Sequence, residues 1–173
     1  MVISPQFDSF TGKIVGSFKD GLAFVQLKGK IGFIDHNGNF VIEPRFDADA
    51  TLNATPFSEG LAAIRTRGKY GYIDKAGNLK IAPQFEVAET FHAGLAAVSF
   101  DREKFGFIDR TGKMVIEPRF GWVGRFSEGL AAVNIGMAWH GHQKSGGKWG
   151  FVDTTGKIVL MFNMRKPVPF LKD

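Results

Sequence analysis

His140 and His142, one residue apart, are the most metal-like pair in this 173-residue chain. They supply two imidazoles where a stable zinc site takes three or four ligands, and His36 and His92 stand elsewhere without matching partners. The pair is therefore expected in a solvated, glycine-flanked loop with no metal. Cysteine is absent, which removes thiolate metal sites, disulfides and a cysteine nucleophile. A second candidate set is carboxylate: Asp35, Asp74, Asp109 and Asp153 each precede a glycine by three residues, at Gly38, Gly77, Gly112 and Gly156. Asp35-His36-Asn37-Gly38-Asn39 resembles the start of a calcium loop, but the later bidentate glutamate is missing and the other copies lack the intermediate oxygen ligands. A hairpin turn is the expected role, with Asp accepting from backbone amides two residues on and Gly taking a positive φ. No Ser-His-Asp ordering, phosphate loop or dinucleotide-binding glycine pattern appears, so the chain is expected to be no enzyme and to need no cofactor.

The carboxylates belong to a repeated frame. Phe-x-x-Gly-Leu-Ala begins at Phe18, Phe57, Phe91 and Phe126. Each copy is followed by Lys, an apolar residue, Gly, an aromatic, Ile or Val, and the turn Asp, starting at Lys30, Lys69, Lys104 and Lys148. A third phrase, Ile-x-Pro-Arg/Gln-Phe, stands at 42–46, 81–85 and 116–120 and at the start, 3–7; the last copy has Leu160-Met161-Phe162 and no proline. The frame reads as one domain, 1–173, of four units at about 3–42, 43–81, 82–116 and 117–162 with a tail at 163–173. A repeat of roughly 20–50 residues marks solenoids, propellers and arrays, which usually bind rather than catalyse.

Four short strands are expected per unit: one around the Pro-Phe phrase, one at Leu61-Ala62-Ala63-Ile64 and its equivalents, one at Trp149-Gly150-Phe151-Val152 and its equivalents, and one at Met114-Val115-Ile116 and its equivalents. The last two pair as a hairpin around Asp-x-x-Gly. Proline has no amide donor and belongs at a strand start or edge. Gly32, Gly71, Gly106 and Gly150, inside the third strand, predict a bulge or close backbone approach, with an aromatic of the neighbouring unit lying over them. Phe57, Phe91, Phe126 and Trp149 are predicted core. The fold class is thus all-β: four tandem four-stranded antiparallel units in an open array or a small propeller-like arrangement.

Phe126-Ser127-Glu128-Gly129-Leu130-Ala131, followed by Lys148-Trp149-Gly150-Phe151-Val152-Asp153, resembles the WG (KWG) repeat family, with Ile31, Tyr70 and Phe105 in place of the tryptophan in the first three copies. The resemblance covers nearly the whole chain. It implies a β-repeat interaction module, widespread in bacteria, with no shared catalytic residues, and a toxin-neutralising or secretion-accessory role is one version of it.

A hydrophobic fraction of 44% and a charged fraction of 23% suit a globular protein, and the net charge of +5 is a modest bias. No basic leader precedes an apolar run at the N-terminus and no stretch approaches a membrane span, so a cytoplasmic protein without membrane contact is expected. The positive charge is concentrated. Loops between the second and third strands carry Lys28, Lys30, Arg65, Arg67, Lys69, Arg102, Lys104, Lys144 and Lys148 against Asp101 and Glu103. The Pro corners at the same end add Arg45 and Arg119, balanced by Glu43 and Glu117. Such an edge is either a positive rim for an acidic partner or ordinary edge protection by Lys and Arg.

The fourth unit alone carries an insertion, at 137–146, at this end. Its Trp139 is either tucked onto the domain or offered to a partner. The candidate binding residues are Trp139, His140, His142, Lys144, Arg65, Arg67, Lys28 and Arg102. The expected partner is an acidic protein or peptide. Nucleic acid is the alternative, weakened because the aromatics recur in strands and not in the basic loops where they could stack on bases.

Overall fold

The computed structural model describes residues 16–47, 54–140 and 143–162. The first copy of the Pro phrase, the tail from 163 and His142 lie outside them. The described residues hold no helix, and so none long and apolar enough to cross a membrane. They form antiparallel meanders, one per repeat. The first sheet holds β1 (Ala23–Leu27), β2 (Lys30–Ile34) and β3 (Phe40–Asp47). The second holds β4 (Leu61–Thr66), β5 (Lys69–Asp74) and β6 (Leu79–Phe85). In the third, β7 (Val87–Ala88), β8 (Leu95–Ser99), β9 (Phe105–Asp109) and β10 (Met114–Phe120) lie side by side in chain order. The fourth orders β11 (Trp122–Val123), β12 (Leu130–Ile135), β15 (Lys148–Asp153) and β16 (Ile158–Phe162), with β13 (Ala138–His140) and β14 (Gln143–Ser145) forming a separate hairpin. The outermost strand position recurs in every sheet as one backbone bond: the amides of Gly16, Thr55, Glu89 and Gly124 donate to the carbonyls of Phe24, Ala63, Ala97 and Ala132. Four meanders of four strand positions in series make an array in which no sheet closes into a barrel.

Sequence explains why the sheets stack. The run Leu61-Ala62-Ala63-Ile64 is buried without interruption, as a strand covered on both faces must be. Successive residues face opposite neighbours. Ala62, Ile64 and Ile73 join Phe24, Phe33 and Ile42 in the first seam, whereas Leu61, Ala63 and Tyr72 join Ala96, Val98 and Ile108 in the second. A third seam sets Phe107, Ile116 and Phe120 against Phe126, Val133 and Val152. The Phe of Phe-x-x-Gly-Leu-Ala is the knob of each seam. Phe57, Phe91 and Phe126 meet Phe33, Tyr72 and Phe107 edge to face, with ring centroids 4.8, 4.9 and 4.8 Å apart. These three phenylalanines are core, as predicted. Trp149 is not: it is half-buried, against Trp122 at 5.1 Å, as its equivalents Tyr70 and Phe105 are half-buried even in sheets that a neighbour covers.

The Pro phrase behaves differently from its prediction. It does not start a strand of its own; it continues the strand that follows the Asp-x-x-Gly turn, so β3, β6 and β10 each contain both segments. Five residues, Ile81 to Phe85, span the register of three, Tyr70 to Tyr72, and the same bulge recurs in the first and third sheets. Each of these strands is the outer strand of its sheet, where a missing amide costs no ladder bond. The close approach of the outer strand explains the strand glycine. A Cβ on Gly32, Gly71 or Gly106 would lie 2.8 Å from the nitrogen of Pro44, Pro83 or Pro118. It is thus the adjoining strand's backbone, not an aromatic of the next unit, that demands glycine. Without the Pro phrase, β16 has no such bulge: Leu160 to Phe162 pair one for one with Phe151 to Trp149.

Two turn types link neighbouring units. In the Asp-x-x-Gly turn, Gly77, Gly112 and Gly156 hold φ of 79°, 89° and 87°, and a Cβ there would lie 3.0 Å from Cγ2 of Ile42, Ile81 or Ile116 in the preceding sheet. Asp35, Asp74, Asp109 and Asp153 each accept backbone amides two and four residues on through Oδ1, at 2.8 to 3.0 Å. In the tight turn before Gly-Leu-Ala, a carboxylate reaches forward: Asp20 accepts the Gly60 amide at 2.8 Å and Glu59 the Gly94 amide at 3.0 Å. Equivalent turns thus meet from sheet to sheet, which keeps the sheets parallel and gathers their opposite turns along one edge.

Candidate functional site

That edge carries the turns predicted to hold the basic residues. Lys28 and Arg67 occupy the tips of the β1–β2 and β4–β5 turns, at φ 48° and 51°, and Arg102 sits in the β8–β9 loop at φ 68°. The Arg102 loop is built by Ser99 and Asp101. Ser99 Oγ accepts the Arg102 amide at 2.9 Å, and Asp101 accepts the amides of Glu103 and Lys104 at 2.7 and 2.8 Å, bonds that hold its carboxyl below the usual range. Arg65 and Arg102 converge on a groove of about 540 Å³ between the second and third sheets, which Thr55, Tyr70 and Glu86 also line. Arg65 donates through Nε to the Gly68 carbonyl at 3.2 Å, and its guanidinium lies 5.8 Å from the Tyr70 ring.

Two carboxylates missing from the sequence reading temper the charge of this edge. Glu86 takes Lys69 on one oxygen at 2.6 Å and Arg102 on the other at 2.9 and 3.2 Å, so it ties the second sheet to the third. Lys69 and then Arg102 hold its carboxyl below the ordinary value. Asp47 accepts from Lys30 at 2.5 Å. Both acids directly follow the Phe of the Pro phrase, which was the available signal, and the register brings that position opposite the recurring Lys. Lys30 and Lys69 therefore serve their own sheets. Arg45 and Arg119, placed at this edge from sequence, reach the other way: Arg45 Nη2 donates to the Gly77 carbonyl at 2.6 Å and Arg119 Nη2 to that of Gly156. They are seam links and leave the rim.

The fourth unit replaces the short turn with a hairpin rather than the loose loop expected from its glycines. β13 and β14 pair in register, Trp139 opposite Lys144 and His140 opposite Gln143. Its base is fixed to the sheet. The Asn134 side chain, fully buried, donates to the Gly146 carbonyl at 3.2 Å, and the Gly121 amide donates to the Asn134 carbonyl at 2.8 Å. A Cβ on Gly121 would fall 2.6 Å from Met137 Cβ, which is why this copy has glycine where the others have Asp47 and Glu86. The structure thus brings Arg65 and Arg102 together in one groove, sets Lys28 and Arg67 at turn tips, and puts Trp139, His140 and Lys144 in the hairpin.

This repeat architecture has a counterpart among known families. The model of a family described as WG containing repeat matches residues 1–30, 31–70, 70–102, 105–136 and 149–161. No curated protein matches the chain. The glycine of the family's name is the residue that the outer strand's backbone presses against in every sheet, bulged or not, and the tryptophan before it survives only as Trp149. Matched over most of its length, and folded as the repeated meander those matches imply, the chain belongs to the WG repeat family.

Proposed function

We propose that this repeat module is a non-catalytic binding protein, and that it holds an acidic protein segment along the edge formed by the turns and the fourth-unit hairpin. One observation carries this reading: the fourth unit alone has an anchored hairpin, bearing Trp139 and Lys144, where the first two units have a two-residue turn and the third a short loop at 100–104, on the edge where Arg65, Arg67, Lys28 and Arg102 collect. Insertions in repeat proteins map to one face, often the binding face, and tryptophan and arginine dominate binding hot spots. Arg65 and Arg102 line the groove, and a partner's carboxylate would share or displace Glu86 at Arg102, a bidentate geometry that suits arginine. Replacing 138–145 with a two-residue turn is expected to leave the melting transition of the array in place and weaken partner binding by about 2 kcal/mol or more, roughly 30-fold. A pull-down from the source cell, with and without nuclease, supplies the partner for that titration. Retained affinity would remove the hairpin from the site, and loss of capture after nuclease would move the reading to nucleic acid.

A further inference from the structure

The three seams use the same positions of the repeat, and the fourth sheet carries those positions on an outer face that no sheet covers among the described residues. Leu160 stands where Ile42, Ile81 and Ile116 stand in the first three sheets. They are 2–3% exposed and it is 50% exposed. Phe162 stands where Phe85 and Phe120 stand, at 1% and 0%, and is 45% exposed. Phe151 takes the place of Phe33, Tyr72 and Phe107, but its ring meets Phe162 of its own sheet at 6.1 Å instead of a phenylalanine from the next unit. Trp122 and Trp149 extend the face, and all three tryptophans of the chain belong to this unit. Glu128, in the turn position from which Asp20 and Glu59 reach forward, bonds to no described residue. The fourth sheet is half of a fourth seam.

We propose that this outer face is a dimerisation surface, on which two copies of the chain pack sheet to sheet about a two-fold axis. The chemistry is continuous with the seams already built: aliphatic and aromatic side chains on a flat sheet, which pack face to face about 10 Å apart. Large contiguous apolar faces on a soluble protein mark an interface, and tryptophan, phenylalanine and methionine are the residues enriched there. The other end of the array decides the symmetry. Ala23, Val25 and Ile34, the corresponding residues on the leading face of the first sheet, are buried at 1%, 0% and 3%. A head-to-tail contact thus has no open face to receive the fourth sheet, whereas one self-complementary patch gives a closed dimer. Residues 163–173 are a poorer occupant. Four of the eleven are charged (Arg165, Lys166, Lys172 and Asp173) and two are Pro167 and Pro169, so they cannot supply a second apolar sheet. The face lies on the broad side of the sheet, and the proposal does not depend on the partner of the hairpin edge.

Sedimentation velocity of the full chain from about 1 to about 100 µM, a span in which interfaces of ordinary size assemble, tests it. The mass is expected to rise from the 19.0 kDa of one chain to twice that value and no further. Leu160→Lys and, separately, Phe162→Lys are each expected to weaken association at least 100-fold, with circular dichroism confirming the fold. Val115→Lys, at an exposed position of β10 in the interior of the array, should leave the mass curve unchanged. If Leu160→Lys unfolds the chain, the wild-type mass and Phe162→Lys decide alone. A wild-type chain that stays monomeric throughout, species that grow beyond two chains, or a folded Leu160→Lys or Phe162→Lys variant that dimerises as wild type would each overturn the proposal.

Discussion

Phe107 and Phe151 occupy the same position of the repeat, in the same strand, two residues before the turn aspartate. Phe107 is buried because the next sheet lays Phe126 against it; Phe151 is half-buried because the array stops there among the described residues. The repeat motif thus fixes where a side chain points, and the neighbouring sheet fixes what that is worth. Stability in such arrays is the sum of weak units and strong interfaces between them. Phe107→Ala is expected to cost about 3–5 kcal/mol and Phe151→Ala about 1–2 kcal/mol, read as urea unfolding at a concentration where the chain is monomeric. Equal losses would break the distinction between a seam and an open face.

A smaller contrast separates backbone strain from seam packing. Gly112 and Gly68 share a left-handed conformation, at φ 89° and 82°. A Cβ on Gly112 would press on Ile81 of the preceding sheet at 3.0 Å, while one on Gly68 would meet no atom within 4 Å. Gly68→Ala should cost about 1 kcal/mol, the strain alone, and Gly112→Ala should cost about twice that. If the two midpoints shift together, the turn contributes nothing to the seam beyond its own geometry.

What was legible in the sequence was local chemistry repeated. The Asp-x-x-Gly turn needs only an acceptor, two amides and a positive φ within five residues, so Asp74 and Gly77 declare it without help from the fold. The Phe knobs declared themselves by recurring beside Gly-Leu-Ala. The proline sits at a sheet edge, one of the two places its missing amide predicts; what misled was giving the phrase a strand of its own, because a bulge lets it continue the strand after the turn and nothing before the register is known shows that. Trp149 misled because its position lies at the start of the strand, where Tyr70 and Phe105 are half-buried as well, whereas the position two residues on is the one that a neighbouring sheet buries. At the edge, counting charges located Arg65, Arg67, Lys28 and Arg102, but pairings such as Lys30 with Asp47 and Arg102 with Glu86 depend on register and on sheet contact.

The forward-reaching carboxylates give a finer comparison, because the chain itself varies them. Glu59 spans the second seam to the Gly94 amide, Glu128 has no seam to span, and in the third unit the position is Ala93. Glu59→Ala is expected to cost about 1 kcal/mol, a typical net hydrogen bond, whereas Glu128→Ala should stay within about 0.5 kcal/mol. Ala93→Glu should add the missing link to Gly129 and gain about 0.5–1 kcal/mol. A loss on Ala93→Glu would show that the third seam is spaced differently from the second.

The smallest expected effect is one that seam and open end share. Asp109 and Asp153 are held below the ordinary carboxylate value of 3.8, foremost by the hydroxyls of Thr111 and Thr155 and then by backbone amides. Asp35 and Asp74 are lowered mainly by the amides of Asn39 and Asn78. A carboxyl lowered by folding binds fewer protons in the native state than in the unfolded chain. Its contribution is therefore complete above the unfolded value and is lost as pH falls through that value toward the lower folded one. The urea midpoint should hold steady between about pH 6 and pH 5 and decline below about pH 4. Thr111→Val and Thr155→Val each remove a hydroxyl donor to the turn aspartate. Both should make that decline smaller, by the same amount, since the bonds are internal to one turn, and leave its onset in place, since the unfolded value sets it. A larger reduction for Thr111→Val would show that the third sheet's turn answers to the packing around it, and the line between what a repeat unit owns and what its neighbour lends would have to be redrawn at the turns.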